Sequence, residues 1–171
     1  LAALDAQFGV EIGKRILDRY YIEGGKALTD RYKRSPMPRV RAMDGSDVIP
    51  PPTGDGAPVL LKMAEDAVEL MVASGYAEVW LAKQGHEGRI LINFLNKIEL
   101  PLNPTMYGAM LAGVDGIIVG AGNPDGLPLV RSRLALHQPV TRDLAVLYRQ
   151  SGETFTVPFD PRSVAGGRLA T

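Results

Sequence analysis

Three places in the sequence combine residue types and spacing suited to chemistry. The first is "GIIVGAGNPDG", residues 116–126, an apolar run that ends in Gly120, Ala121 and Gly122 and then turns. A dinucleotide fingerprint needs G-x-G-x-x-G opening a helix, but here Asp125 takes the third glycine position and Gly126 comes one residue late. Pro124 also removes a backbone donor, so the strict motif fails. What remains is a glycine-rich strand end with two readings: room for a flat ligand against the backbone, or a tight turn requiring positive φ. The second place is Asn93 within "ILINFL", where alternation sets Ile90, Ile92 and Phe94 on one face and Leu91, Asn93 and Leu95 on the other. An amide buried there needs partners, which a ligand edge, a neighbouring strand or a water would each supply. The third is His86 in the glycine-flanked loop "KQGHEG", beside Glu87 and near Lys83. Its imidazole is the candidate general base; with no Ser or Cys partner in view, the alternative is an ordinary surface histidine.

Other residues near these places carry less. Lys97 and Glu99 either meet substrate or pair with each other, and Asp115, ahead of a strand, is read as structural. His137 ends a helix, where an imidazolium suits the dipole. Tyr107 is a donor to a cofactor or simply packing, and Ser151 belongs to a turn. Arg31, Lys33, Arg34, Arg39 and Arg41 form either an anion-binding patch or a solvated loop face.

The elements that must position these residues follow from periodicity. "FGVEIGKRILDRYY" reads as a helix stopped at Gly24 and Gly25, followed by a long Pro/Gly-rich loop over about 27–58. "PVLLKMAEDAVELMVASG" reads as a helix ended by Gly75, with Met63 and Met71 as core filler. "AEVWLAK" and "RILINF" read as strands. A small-residue helix over "TMYGAMLAGV" follows, with Asn103 as N-cap and Pro104 at its first position. "DGIIVG" is a continuously apolar strand, "LPLVRSRLALH" a second helix, and the segment from about 144 to 159 a C-terminal hairpin. Strand, helix, strand, helix over 90–137 makes a βαβα unit, so the fold class is α/β.

Bulk composition limits the function classes. The 171 residues suit one domain burying roughly 70% of its unfolded surface. Nineteen basic and nineteen acidic side chains cancel, so no global field steers the chain to nucleic acid or an anionic membrane. Asp115 interrupts the longest apolar candidate, so no stretch approaches a membrane span of about 20 residues. The absence of cysteine, with only two histidines, argues against a thiolate or histidine-rich metal site and suits a cytoplasmic protein. The chain opens on Leu1 without a basic segment leading into an apolar one, which is read as a trimmed or excised piece.

"RILDRYYIEGGK", "AEVWLAKQGHEGRILINFLNKIELP" and "YGAMLAGVDGIIVGAGNPDGLP" together resemble the nitronate monooxygenase family, formerly 2-nitropropane dioxygenases, and in particular its longer bacterial members. The likeness covers roughly 8–140 as several linked blocks in order. It implies a TIM-type (β/α)8 flavin barrel with non-covalent FMN, of which residues 1–171 supply one partial barrel domain. The implied reaction is oxidation of alkyl nitronates with dioxygen; the alternative on the same barrel is an enoyl-thioester reductase. By that likeness Asn93 would contact the flavin, and Gly120, Ala121 and Gly122 would line the barrel mouth beside it. No glutamine-glycine-glycine strand and no later glycine-rich phosphate loop is present, and His86 precedes Asn93, so it does not correspond to the family's catalytic histidine. An incomplete barrel leaves strand edges unpaired, so the competing expectation is a non-catalytic fragment or scaffold that binds the rest of the barrel or forms a homo-oligomer.

Overall fold

The computed structural model describes residues 2–8, 11, 13–14, 40–43, 56–147 and 149–164. In chain order the elements are α1 (Ala2–Phe8), β1 (Val40–Ala42), β2 (Val59–Met63), α2 (Glu65–Ala82), β3 (Leu91–Leu95) and α3 (Glu99–Leu111). These are followed by β4 (Gly116–Ala121), α4 (Leu127–Ala135), β5 (Val140–Leu144), β6 (Phe155–Phe159) and α5 (Pro161–Val164). Strands β1, β2, β6 and β5 form one sheet in that order, and β3 pairs with β4 in a second. The β2–β6 and β3–β4 pairs are parallel; β1–β2 and β5–β6 are antiparallel. The class is α/β, and β3–α3–β4–α4 is the unit expected over 90–137. Among the described residues the strands do not close into one barrel.

Side-chain alternation explains β2. Val59, Leu61 and Met63 are buried while Leu60 and Lys62 are exposed, so "VLLKM" is a strand and α2 begins only at Glu65. The helical reading from Pro58 onward mistook this period of two for a period of 3.6. Nor does Gly75 end α2. The helix continues through "AEVWLA" to Ala82, with Val68, Val72, Tyr76 and Val79 buried along one side, so that stretch is helix and not strand.

Gly75 serves a different purpose. A Cβ there would overlap the Thr105 carbonyl oxygen on α3, and a Cβ on Gly108 would overlap the Val72 carbonyl oxygen on α2. The two helices therefore cross with their backbones in contact, which only glycine permits. Helix α3 starts five residues earlier than expected: Ile98 is the N-cap, and Asn103 and Pro104 lie inside the helix, both buried. Pro104 leaves the Leu100 carbonyl without its usual helical donor.

The core gathers Met106, Tyr107, Val72, Leu134, Phe94, Val157 and Phe159 between the helices and both sheets. Tyr107 anchors it. Its ring meets Phe159 edge-on at 5.7 Å and the His137 imidazole at 5.9 Å, and its hydroxyl lies 2.9 Å from His137 Nδ1. Burial pushes the Tyr107 hydroxyl pKa up, so it stays protonated. The packing reading of Tyr107 is the one observed. His137 follows α4 at φ 54, a left-handed position closing the helix end.

The hairpin is formed by β5 and β6 with Val140 opposite Phe159 and Leu144 opposite Phe155. It therefore starts four residues before the expected 144, and Ala145, Val146, Leu147 and Arg149 lie in its connecting loop. The expected helix over "FGVEIGKRILDRYY", the loop basic patch and most of the 27–58 loop lie outside the described residues, apart from β1 and short neighbouring stretches.

Gly75→Ala and Gly108→Ala are expected to destabilise the chain, each by about 1–3 kcal/mol from overpacking. Helix propensity alone would give the opposite sign, by about 0.5–1 kcal/mol. Denaturant unfolding of the two variants distinguishes these outcomes.

Candidate functional site

The site is built on the carboxyl ends of β3 and β4. Ile92, Phe94, Ile117 and Val119 face the core, leaving Leu91, Asn93, Leu95, Ile118 and Gly120 on the other side of the sheet. That side is uncovered: Leu91 is 54% exposed, Ile118 49% and Leu95 39%. Asn93 is therefore not the buried amide its apolar neighbours suggested. It is exposed, and its side chain makes no hydrogen bond among the described residues.

Asn93 and Gly120 lie against each other. Phe94 pairs with Val119 but Leu95 pairs with Ala121, so Gly120 is an extra residue in β4, a bulge. A Cβ on Gly120 would fall 2.8 Å from Asn93 Oδ1 and 2.9 Å from Nδ2. A side chain here would displace the amide. The two readings of the glycine run are thereby divided. Gly122, at φ 95 and with its missing Cβ 2.9 Å from the Lys97 amide nitrogen, is a turn glycine. Gly120 is the one that leaves space beside a ligating group. Ala121 is half-buried, and its carbonyl accepts from the Asn96 amide nitrogen at 2.7 Å, extending the ladder beyond β3. An open groove of about 240 Å³, lined by Asn93, Phe94, Leu95, Ile98, Pro101, Leu102 and Thr105, runs between β3 and the start of α3.

Beside it stands a polar corner that the sequence reading missed. The Asn96 side-chain Nδ2 donates to the Asn123 carbonyl, and Asn123 and Asp125 bond each other across the turn. Arg142, from the middle of β5, reaches into the same corner: its Nη1 donates to Asn96 Oδ1 at 3.1 Å and its Nε to Asn103 Oδ1 at 3.5 Å. Glu99 turns to the loop after β5, where Oε2 accepts from the Ala145 amide nitrogen at 2.8 Å. Desolvation pulls the Arg142 pKa below its ordinary value, opposed by the Glu99 and Asp143 charges. Of the two readings of Lys97 and Glu99, an ion pair between them is not found among the described residues.

His86 lies away from this group, at the amino end of β3. Its Nδ1 accepts from the Gly88 amide nitrogen at 2.9 Å and its Nε2 donates to the Ala82 carbonyl at 2.7 Å, so both ring nitrogens are engaged in closing the end of α2. The surface reading fits this geometry. Asp115 occupies the same end: Oδ2 accepts from Lys83 Nζ at 2.7 Å and from the Ile90 amide nitrogen at 2.8 Å. Those bonds, the Ile90 amide first and Lys83 second, hold its carboxyl below the ordinary value. The structural reading of Asp115 is the one observed.

Among the described residues no group of three or more His, Cys, Asp or Glu is placed to hold a metal ion, and no helix is long and apolar enough to cross a membrane. No family model, curated protein or solved structure matches the chain.

Because the Asp115 pKa is depressed on folding, its contribution to stability is full above the unfolded value, near 3.8, and is lost as pH falls through the lower folded value. Asp115→Asn removes that contribution. In thermal melts the loss of stability below about pH 3.8 is expected to be shallower in this variant than in the parent chain.

Proposed function

We propose that the chain is part of an FMN-dependent oxidoreductase of the nitronate monooxygenase type, and that the uncovered face of β3 and β4 is the lumen side of a (β/α)8 flavin barrel. The observation that carries this reading is the Asn93–Gly120 pair: an exposed amide with donor and acceptor unsatisfied, beside a glycine that keeps the space next to it open. In parallel α/β architectures ligands lie at the carboxyl ends of strands; Gly120 stands near the end of β4, and the Asn93 side chain lies against it from the middle of β3.

The residues fit the ring portion of FMN. An isoalloxazine edge carries alternating acceptors and a donor, which one amide satisfies in both senses, and Leu91, Leu95 and Ile118 offer an apolar bed for its plane. The glycine turn itself offers the phosphate no grip, since Gly122 is committed to its turn against Asn96 and Lys97. FMN, when bound, supplies the redox chemistry between an alkyl nitronate and dioxygen. The chain's own part is to orient the ring through Asn93 and to shield one side of it. His86, at the other end of β3, takes no part.

Titration of the chain with FMN, followed by flavin fluorescence and visible absorbance, is expected to show saturable binding. Asn93→Ala should weaken it about tenfold, the effect of losing two neutral hydrogen bonds, and Gly120→Val should abolish it. A chain that takes up no FMN overturns the reading. Given binding, oxygen uptake driven by an alkyl nitronate distinguishes this activity from NAD(P)H oxidation dependent on an enoyl thioester.

A further inference from the structure

The geometry points to Arg142 as the centre of an oxyanion site at the corner of β3, α3 and β5, one that takes the carboxylate or phosphate group of a small molecule. Arg142 is a half-buried cation held entirely by neutral groups. Its Nη1 bonds Asn96 Oδ1 and its Nε approaches Asn103 Oδ1, and Asn103 is itself 3% exposed. Among the described residues no carboxylate stands within ion-pair distance of the guanidinium. Two carboxylates, Glu99 and Asp143, act on its charge from beyond that distance, and Glu99 is engaged by the Ala145 amide.

Among the described residues Nη2 has no hydrogen-bond partner, and it is not sealed away either, since the buried unsatisfied side-chain atom among them is Thr156 Oγ1. The outer edge of the guanidinium therefore presents unpaired N–H groups from a fixed position. A planar fork with no ion-pair partner among the described residues matches the two oxygens of a carboxylate or phosphate. Two carbonyl acceptors fix its orientation at no cost in charge, whereas a structural arginine is more economically paired with a carboxylate. Asn96 also donates to the Asn123 carbonyl, so an anion at Arg142 would bear on the loop after β4.

This site does not depend on the flavin reading. The test is thermal protection of the full chain by inorganic phosphate and by acetate, each against chloride at matched ionic strength. An arginine Nε resonance followed during the phosphate titration reports on the unmutated chain. Saturable protection and a shifted Nε signal are expected, with binding at least about tenfold weaker in Arg142→Lys, which keeps the charge but loses the fork. Asn103→Asp, which neutralises the guanidinium in place, should also lose the protection while keeping the fold. Absence of protection and of an Nε shift, or protection unchanged in both variants, overturns the proposal. FMN and riboflavin separate the sources. FMN affinity that exceeds riboflavin affinity only while Arg142 is present assigns the flavin phosphate to this site. Phosphate binding with no flavin binding upholds the oxyanion site for another small molecule and overturns only the flavin reading.

Discussion

The crossing of α2 and α3 is the constraint on which the rest of the structure rests. At Gly75 and Gly108 the backbone of each helix fills the place where the other would carry a side chain. That closeness brings Val72, Tyr76, Met106 and Tyr107 into one core and fixes how far α3 stands from the sheets. Asn103 reaches Arg142 from the same helix, one turn before Tyr107. A wider crossing would carry Asn103 away from β5, so the spacing of the polar corner is set by two glycines that have no chemistry of their own.

The two ends of the β3–β4 pair do different work. At the amino end Lys83, Asp115, Ile90 and His86 bond only among themselves and to nearby backbone, tying the close of α2 to the start of both strands. Towards the carboxyl end the groups are more open: among the described residues the Asn93 side chain has no hydrogen-bond partner, Gly120 has no side chain, and Arg142 keeps Nη2 unbonded. The unit is thus tied down at its base and loosely bonded at its other end.

Much of this was legible in the residues. The apolar run of β4, the alternation of β3 and the helix between them gave the parallel unit, and the position of Asn93 and Gly120 on it followed. Two local signals misled. Gly75 looked like a helix stop because a glycine in sequence does not reveal whether it serves backbone freedom or backbone contact, and "AEVWLAK" then looked like a separate strand. Asn103 before Pro104 has the form of a cap, yet the helix had already begun. The Arg142 corner left no local signal at all. Its hydrogen bonds join residues 39 and 46 apart in the chain, and nothing next to Asn96 or Asn103 in the sequence points to Arg142.

The bulge at Gly120 has a consequence for how the chain can vary. Because two residues of β4 stand opposite one of β3, the bulge absorbs Gly120 without carrying the turn outward: Ala121 still meets Leu95, and the Asn96 backbone nitrogen still reaches the Ala121 carbonyl. The extra residue instead bends β4 locally, beside the Asn93 amide. The opening next to that amide is therefore a feature that gain or loss of one residue in β4 can add or remove while the pairs on both sides of it stay in register.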